Sequence, residues 1–492
     1  MFHVVVIAVA AAAVALFVFT PRFALWRGLD IRPAWFNPEV NRAVDTLRQL
    51  AHPFAAARDP SNLVIEWRLL FPLLGKALAL PPWLFLSLPH LGCLIVLGFV
   101  ARLLLRQGWS GYEALLAAIV MATCSWFFVS TGWLAYFDSW CVLALLLVSF
   151  ARREWVLAAA VLAGPWIDER FVLALPLALV VRDRYLESFG LARPGRPRWR
   201  DAAWCGAALL PWLAIRLGAH FFHHDRVSAG YAHLLLAPGN AIPLSAYAAG
   251  AWQSLRWAWV LVFVWLAVET RFAPRRLAWP VAVAVATLGA SLAAAHDFSR
   301  APEAVLPAVV LGLMLLRASY PRRARTVLIA VCGLNLVFPA RHVVANWDVP
   351  IYYFYAELAR ARQPPPELDP QALNARAIEL ARANDLAVAL DFLDGAVRLD
   401  ARYAEARQNR AVVEFDLGRI ADAVADSDAA LKLAPRNPDL LHTHARICAK
   451  TGDARRALAD VTAALREAPA DWPQRAAAEA LLAALRRLPP GR

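Results

Sequence analysis

Eleven apolar runs account for most of the first two-thirds of the sequence: Phe2–Phe19, Trp83–Leu105, Tyr112–Thr131, Leu134–Phe150, Trp155–Trp166, Phe171–Val181, Ala202–Leu217, Trp252–Val268, Leu277–Ala295, Ala301–Leu316 and Val327–Ala345. Several fall short of the ~20 residues that span a bilayer as helix, so their predicted boundaries are loose. Backbone that has no water to pair with must satisfy itself, and runs of this kind therefore predict helices. A soluble domain carries about 45–50% apolar residues; this 492-residue chain carries 60%, with a mean hydropathy of +0.47. The excess is expected to face lipid. The predicted class is all-α, with residues 1–345 forming a polytopic transmembrane bundle of about eleven segments.

The net charge of +13 invites a nucleic-acid reading. The arginines instead fall in short loops between apolar runs, which is the positive-inside pattern. Arg102/Arg106, Arg152/Arg153, the Arg182–Arg200 loop, Arg271/Arg275/Arg276 and Arg317–Arg325 all lie on one side if every run crosses once. That side is the expected cytoplasm, which leaves the N-terminus inside and the C-terminal region periplasmic. The long outer loop 20–82 holds Arg22, Arg27, Arg32, Arg42, Arg48 and Arg58, but loops of that length translocate largely regardless of charge. Lys76, Lys432 and Lys450 are the only lysines, and the Arg and Ala excess suggests a G+C-rich bacterial genome and hence a bacterial inner membrane. Phe2–Phe19 has neither a basic leader nor an A-x-A site and reads as a retained anchor. The six cysteines show no CxxC spacing and read as small buried hydrophobes.

Asp168-Glu169-Arg170 interrupts Trp155–Val181. As one straight helix this stretch places three charges at mid-membrane, at ~2.5–3.5 kcal/mol each. A single crossing also inverts every later basic loop, so two short crossings or a re-entrant hairpin are expected. Such a break is tolerated where protein or a watery cavity surrounds it.

Beyond Ala345 come Trp347 and Tyr352-Tyr353-Phe354-Tyr355, suited to a membrane interface, and a stiff Pro364-Pro365-Pro366 spacer. Residues 346–369 are read as this interfacial segment and linker. From 370 to 492 the sequence repeats every 34 residues, which is the length of a tetratricopeptide unit. Ala377/Ala411/Ala445, Ala389/Ala423/Ala457 and Ala396/Ala430/Ala464 align, and Gly418/Gly452 and Pro435/Pro469 match in the last two units. Three units with a capping helix at Pro473–Leu488 predict an α-solenoid of the tetratricopeptide type. Asn374, Gln408 and His442 share one repeat position on the helix that lines the concave face in that family, and Arg446 follows one turn later. These four are the candidate contacts to a protein or peptide partner.

With the sides fixed, carboxylates and histidines concentrate on the outer one: Asp30, Glu39, Asp45, Asp59, Glu66, Arg68, Asp138, Asp168-Glu169-Arg170, His223-His224-Asp225-Arg226 and His296-Asp297 with Arg300. Charges at an apolar boundary are expensive unless they serve a site. The bland alternatives are solvated loop acids, a helix end at Asp138, and a buried ion pair that locks the break at Asp168. The adjacent histidines at 223–224 have metal-ligand chemistry but no third partner.

The layout of residues 1–345 resembles the GT-C superfamily of polyprenyl-phosphate-sugar-dependent glycosyltransferases: a retained first helix, an acid-rich outer loop, many short helices and an outer soluble domain. Glu66-Trp67-Arg68-Leu69-Leu70-Phe71-Pro72-Leu73-Leu74 is similar to the Arg–apolar–Pro–Leu approach to the second helix in such enzymes. His90 is placed like a histidine of the membrane-plus-tetratricopeptide O-mannosyltransferases. The resemblance implies a first-loop acid as catalytic base, here Asp30 in Gly28-Leu29-Asp30. The usual acidic pair is absent, because Ile31 follows, so Asp168 and Glu169 share that candidacy. Sugar transfer needs a carboxylate to take the acceptor proton and cations against the departing phosphate. Arg68, Arg170 and Arg300, with His90, Asp138, His296 and Asp297, are the candidate substrate- and phosphate-binding residues. The expected partners are membrane lipid, a lipid-linked sugar donor and a protein or peptide on the repeats, with no nucleic acid; a divalent metal ion is left open. The alternative is a non-catalytic membrane scaffold that displays its repeats to a periplasmic partner. A transporter is disfavoured because the membrane part shows no internal symmetry.

Overall fold

The structure, a computed structural model, describes residues 1–19, 38–55, 65–191, 199–223, 242–272, 278–293, 297–344, 347–351, 369–382 and 386–487. The chain forms two compact units, Met1–Arg27 with Arg42–Gln363, and Gly28–Asn41 with Pro364–Arg492. The fold is all-α apart from one small strand pair.

In the first unit the helices are α1 (Phe2–Val18), α2 (Pro38–Ala51, which belongs to this unit from Arg42 on), α3 (Leu70–Ala77), α4 (Pro82–Leu105), α5 (Gly111–Ala122), α6 (Ser125–Gly132), α7 (Asp138–Phe150), α8 (Glu154–Ile167), α9 (Arg170–Ser188), α10 (Trp199–His223), α11 (Leu244–Leu255), α12 (Trp259–Phe272), α13 (Ala278–Ala293), α14 (Leu306–Ser319) and α15 (Pro321–Val337). Among the described residues three stretches are long and apolar enough to cross a membrane: Pro82–Leu105, Leu244–Arg271 and Ala301–Ser319. The pair α5 and α6, bent by 68°, makes a fourth if it is one span. Other apolar helices, α1, α7, α8 and α13, run 10–17 residues.

At the bend between α5 and α6 two buried side chains hold the Thr123 carbonyl and hydroxyl. Asn335 donates to the Thr123 hydroxyl (3.0 Å) and accepts from the Trp257 N–H (3.0 Å), and buried Arg256 donates to the Thr123 and Phe338 carbonyls. Arg256 sits at φ 53°, where the α11–α12 path breaks. At Gly312 the backbone of α14 lies directly on the Leu261 carbonyl of α12, and any Cβ there would collide with it.

The Trp155–Val181 stretch is broken as expected. Helix α8 stops at Ile167, Asp168 is extended (φ −158°, ψ 125°), and α9 begins at Arg170. Two contacts fix the direction of travel. Arg170 at the start of α9 meets Asp138 at the start of α7, and Arg182 farther along α9 meets the Val148 and Ala151 carbonyls at the end of α7. Helices α7 and α9 therefore run the same way, and α8 returns between them.

Arginine-bearing loops are tied together at one end. Arg317 pairs with Glu113 (2.6 Å), the residue that also closes a capping box with Ser110. Arg325 lies over Tyr112, Arg271 meets Tyr320, Arg184 reaches Glu269, Arg182 pairs with Asp201, and Arg200 approaches Glu154.

One boundary needs correction. The run Val327–Ala345 is helical only to Val337; Phe338 is extended (φ −75°, ψ 139°) and strand β1 (Arg341–Val344) pairs antiparallel with β2 (Trp347–Pro350). Pro339 explains it, because the residue before a proline is pushed out of the helical region.

The second unit is a run of helices, α16 (Pro370–Arg382), α17 (Leu386–Leu399), α18 (Ala404–Asp416), α19 (Ile420–Leu433), α20 (Pro438–Thr451), α21 (Ala454–Glu467) and α22 (Arg475–Arg486), packing in sequential pairs. All nine aligned alanines are buried, at 0–1% exposure. A methyl group is the largest side chain that leaves two helix backbones this close. Gly418 and Gly452 both take positive φ (77° and 88°), which closes α18 and α20 in the left-handed conformation glycine favours. Trp472, Ala478 and Leu485 join the core of the last pair, so α22 covers its open face.

Candidate functional site

At the end of the first unit opposite the arginine loops, the starts of α7, α9 and the 301–319 stretch converge with the segment before α3. Asp138 is clasped by Arg300 through three bonds (2.7–2.9 Å) and by Arg170 Nη2 (2.7 Å). Asp168 accepts from the Arg170 N–H and Nε on one oxygen and from Arg170 Nη2 (2.7 Å) on the other, which also forms an ion pair with Arg68 Nη1 (3.0 Å). Glu169 takes both Arg68 nitrogens Nε (3.2 Å) and Nη2 (2.9 Å). Arg300 continues to Asp297, whose Oδ2 lies 3.3 Å from His342 Nε2. The break at Asp168 creates this geometry: its extended backbone turns the carboxylate into the space between Arg68 and Arg170, while Glu169, on the first helical turn, points to the rim.

Burial grades the cluster. The side chains of Asp138 and Asp168 are 1% and 3% exposed, whereas Glu169 keeps 26% and Arg170 15%. Four carboxylates face Arg68, Arg170, Arg300 and nearby Arg42, which, like Arg300, lies over the Tyr136 ring. These carboxylates and guanidiniums offset one another inside the fold, which is the condition under which buried ions persist. Every oxygen of Asp138 and Asp168 already has a donor, so a divalent cation binds there only by displacing an arginine. Glu169 is the carboxylate closest to water.

Of the residues singled out in the sequence, Arg68, Asp138, Asp168, Glu169, Arg170, Asp297 and Arg300 come together. His90 stands apart, held on α4 by the backbone of Ser87 and Thr131. Asp30 and His296 lie outside the described residues, as do Asp59, His224-Asp225-Arg226, Tyr352–Tyr355 and the triple proline. Arg42, Tyr136, Ser299, Glu303 and His342 belong to the same neighbourhood and carry no sequence signal beyond being polar near apolar runs. Ser299 Oγ bonds His342 Nδ1 (2.8 Å), giving the members of a nucleophilic triad with Asp297. Ser299 is fully buried and also accepts from the Val343 N–H, so it serves as a strap between β1 and the start of the 301–319 stretch. Glu303 is buried, with an Oε1 that has no hydrogen-bond partner among the described residues.

In the second unit Asn374 bonds Tyr403 and Asn409, and Gln408 donates to the Asp439 carbonyl and the Thr443 hydroxyl. Both amides are spent on joining neighbouring helix pairs. His442, bonded to Gln474 (2.7 Å), and Arg446 line an open groove of about 720 Å³ with Thr443, Lys450 and Leu481. The four candidates thus divide into two that join units and two that face the groove.

No family model matches this chain, and no curated protein matches it.

Proposed function

We propose that the chain is a multi-pass membrane glycosyltransferase that moves a sugar from a polyprenyl-phosphate donor to an acceptor at the outer face of a bacterial inner membrane, its tetratricopeptide-type array holding the acceptor or a partner protein. Large apolar side chains that stay exposed, among them Val9, Trp83, Leu94, Trp155, Leu210 and Phe263, support a lipid-facing first unit. The eleven-segment layout is supported by the alternation of helices between an arginine-rich end and an acidic end.

The observation that carries the reading is the convergence of Arg68, Arg170 and Arg300 with Asp138, Asp168, Glu169 and Asp297 at one end of the bundle. In the proposed step the acceptor hydroxyl attacks the anomeric carbon, the bond from that carbon to the phosphate oxygen breaks, and polyprenyl phosphate leaves. The acceptor proton passes to Glu169, the least buried carboxylate of the cluster. Arg68 turns from Glu169 to the departing phosphate as charge builds on it. Asp138 and Asp168 fix the guanidiniums and are positioning residues.

Purified protein incubated with a polyprenyl-phosphate sugar and candidate acceptors is expected to release polyprenyl phosphate. Glu169→Gln and Arg68→Ala are expected to lose at least about 100-fold of that rate, the usual scale of a general base, at unchanged membrane abundance. The saturation of Asp138 and Asp168 by guanidiniums favours a second reading, a scaffold in which the cluster only locks the helix break. Intact donor with every acceptor, together with a Glu169→Gln variant of normal phenotype, establishes the scaffold instead.

A further inference from the structure

Two equivalent positions of the helical array hold different side chains. Arg410 on α18 donates to Asp394 on α17 (2.8 Å) and to Asp426 on α19 (2.7 Å), sixteen residues before and after it. One repeat later, 34 residues on, the position is His444 on α20. It meets Asp428 (3.1 Å) and Asp460 (2.7 Å) at the same two offsets. One turn further along, Glu414 is replaced by Cys448, whose Sγ lies 3.7 Å from His444 Nδ1 and 3.6 Å from Nε2. The cation bridge of one unit has become a set of metal donors in the next. His444 and Cys448 are 3% and 2% exposed, and one ligand atom from each, with one from Asp460, fall within 4.8 Å of one another.

We propose that His444 Nδ1, Cys448 Sγ and an Asp460 carboxylate oxygen form a zinc site between α20 and α21, with Asp428 accepting from His444 Nε2–H and orienting the ring. Mixed nitrogen, sulfur and carboxylate donors suit zinc among the divalent ions. Zn–S of about 2.3 Å and Zn–N of about 2.0 Å at a tetrahedral angle set sulfur and nitrogen about 3.5–3.6 Å apart. The distance from Cys448 Sγ to His444 Nδ1 is within about 0.2 Å of this, and Sγ, which is as near to Nε2, turns about its Cα–Cβ bond toward the Nδ1 side to share the ion. His444 and Asp460, now at hydrogen-bond distance, open by about 0.7 Å to admit the ion between them. A carboxylate behind a ligating histidine fixes its tautomer and raises its basicity, which is the position Asp428 holds. Three protein donors leave one coordination position to water. Arginine at this position, as in the preceding unit, has no lone pair to give.

Cobalt(II) titrated into the purified, metal-free full-length chain tests the site. The expected result is a thiolate-to-cobalt charge-transfer band and intense tetrahedral visible bands at about one equivalent, both displaced by zinc. Cys448→Ser is expected to remove the charge-transfer band, and His444→Arg to abolish binding while keeping the fold, since Arg410 shows that the array accepts arginine there. Zinc is expected to raise the unfolding temperature of the native chain and not of these variants. Asp428→Asn is expected to weaken zinc binding about 10–100-fold; unchanged affinity overturns its orienting role. The absence of a thiolate band, or a cobalt spectrum identical in both variants and the native chain, overturns the site.

Discussion

Asp138 and Asp426 each hold a guanidinium in a buried setting, yet 162 residues separate Asp138 from Arg300, while 16 separate Asp426 from Arg410. The first contact exists only when the whole bundle has assembled; the second forms whenever two neighbouring helices pair. Both satisfy the same charge requirement, so the difference is one of reach. Long-range charge contacts lock a tertiary arrangement, and short-range ones lock a repeat. Removing one partner should therefore hurt most where the other ions have nowhere to turn.

Asp138→Asn puts the largest strain on this contrast. It takes from buried Arg300 its nearest carboxylate, leaving Asp297 at 3.4 Å, and from Arg170 one of its two, and a loss of about 3–5 kcal/mol is expected, with the whole first unit unfolding at lower temperature. Thermal unfolding of purified protein measures it. A loss under about 1 kcal/mol would place the cluster with ordinary surface pairs and erase the distinction.

An intermediate effect is expected at Glu414, buried beside Arg410 with an Oε2 that has no hydrogen-bond partner among the described residues. Burial first, then the neighbouring Asp426, pushes its carboxyl up to about 7. The unfolded chain gives up this proton near pH 4.5 and the folded array keeps it until about 7, so stability falls as pH rises through that window. Glu414→Gln removes the dependence. It is expected to gain about 2 kcal/mol over the native array at pH 8 and nothing at pH 4, read from unfolding midpoints at the two pH values. Equal midpoints at both would show that the local network already compensates Glu414.

The smallest effect is expected from Arg376→Ala. Arg376 holds the repeat position of Arg410 and His444, but among the described residues it pairs only with exposed Glu379. A change within about 0.5 kcal/mol is expected from the same unfolding measurement. A larger one would mean that the first repeat forms a bridge of its own.

The reach of each contact also decides what the sequence discloses. Alanine periodicity exposed the array, because a helix crossing recurs with the repeat. Arg68, Asp138, Asp168 and Arg300 were legible as charges at apolar boundaries, since such residues are rare there. Arg42, Tyr136 and His342 were not, because their role depends on which ends of distant helices meet, and no local pattern encodes that. The helical expectation for 338–345 ignored Pro339. For Asn374 and Gln408, repeat position identified the helix but not the side-chain direction, and both amides bond the adjoining pair. His444 went unmarked because its significance is comparative: only alignment with Arg410 shows a donor set where a guanidinium stands one unit earlier.

The offsets of sixteen before and sixteen after have a modular consequence. A node built this way survives translation by 34 residues wherever the preceding helix carries its acceptor: a unit added after the second finds Asp428 in place, whereas Thr462 holds the equivalent position of α21. The array is thus free to grow by whole units at its middle, while in its first repeat Arg376 lacks the bridge among the described residues. The first unit, whose partners are fixed by distant segments, has no such freedom in its length.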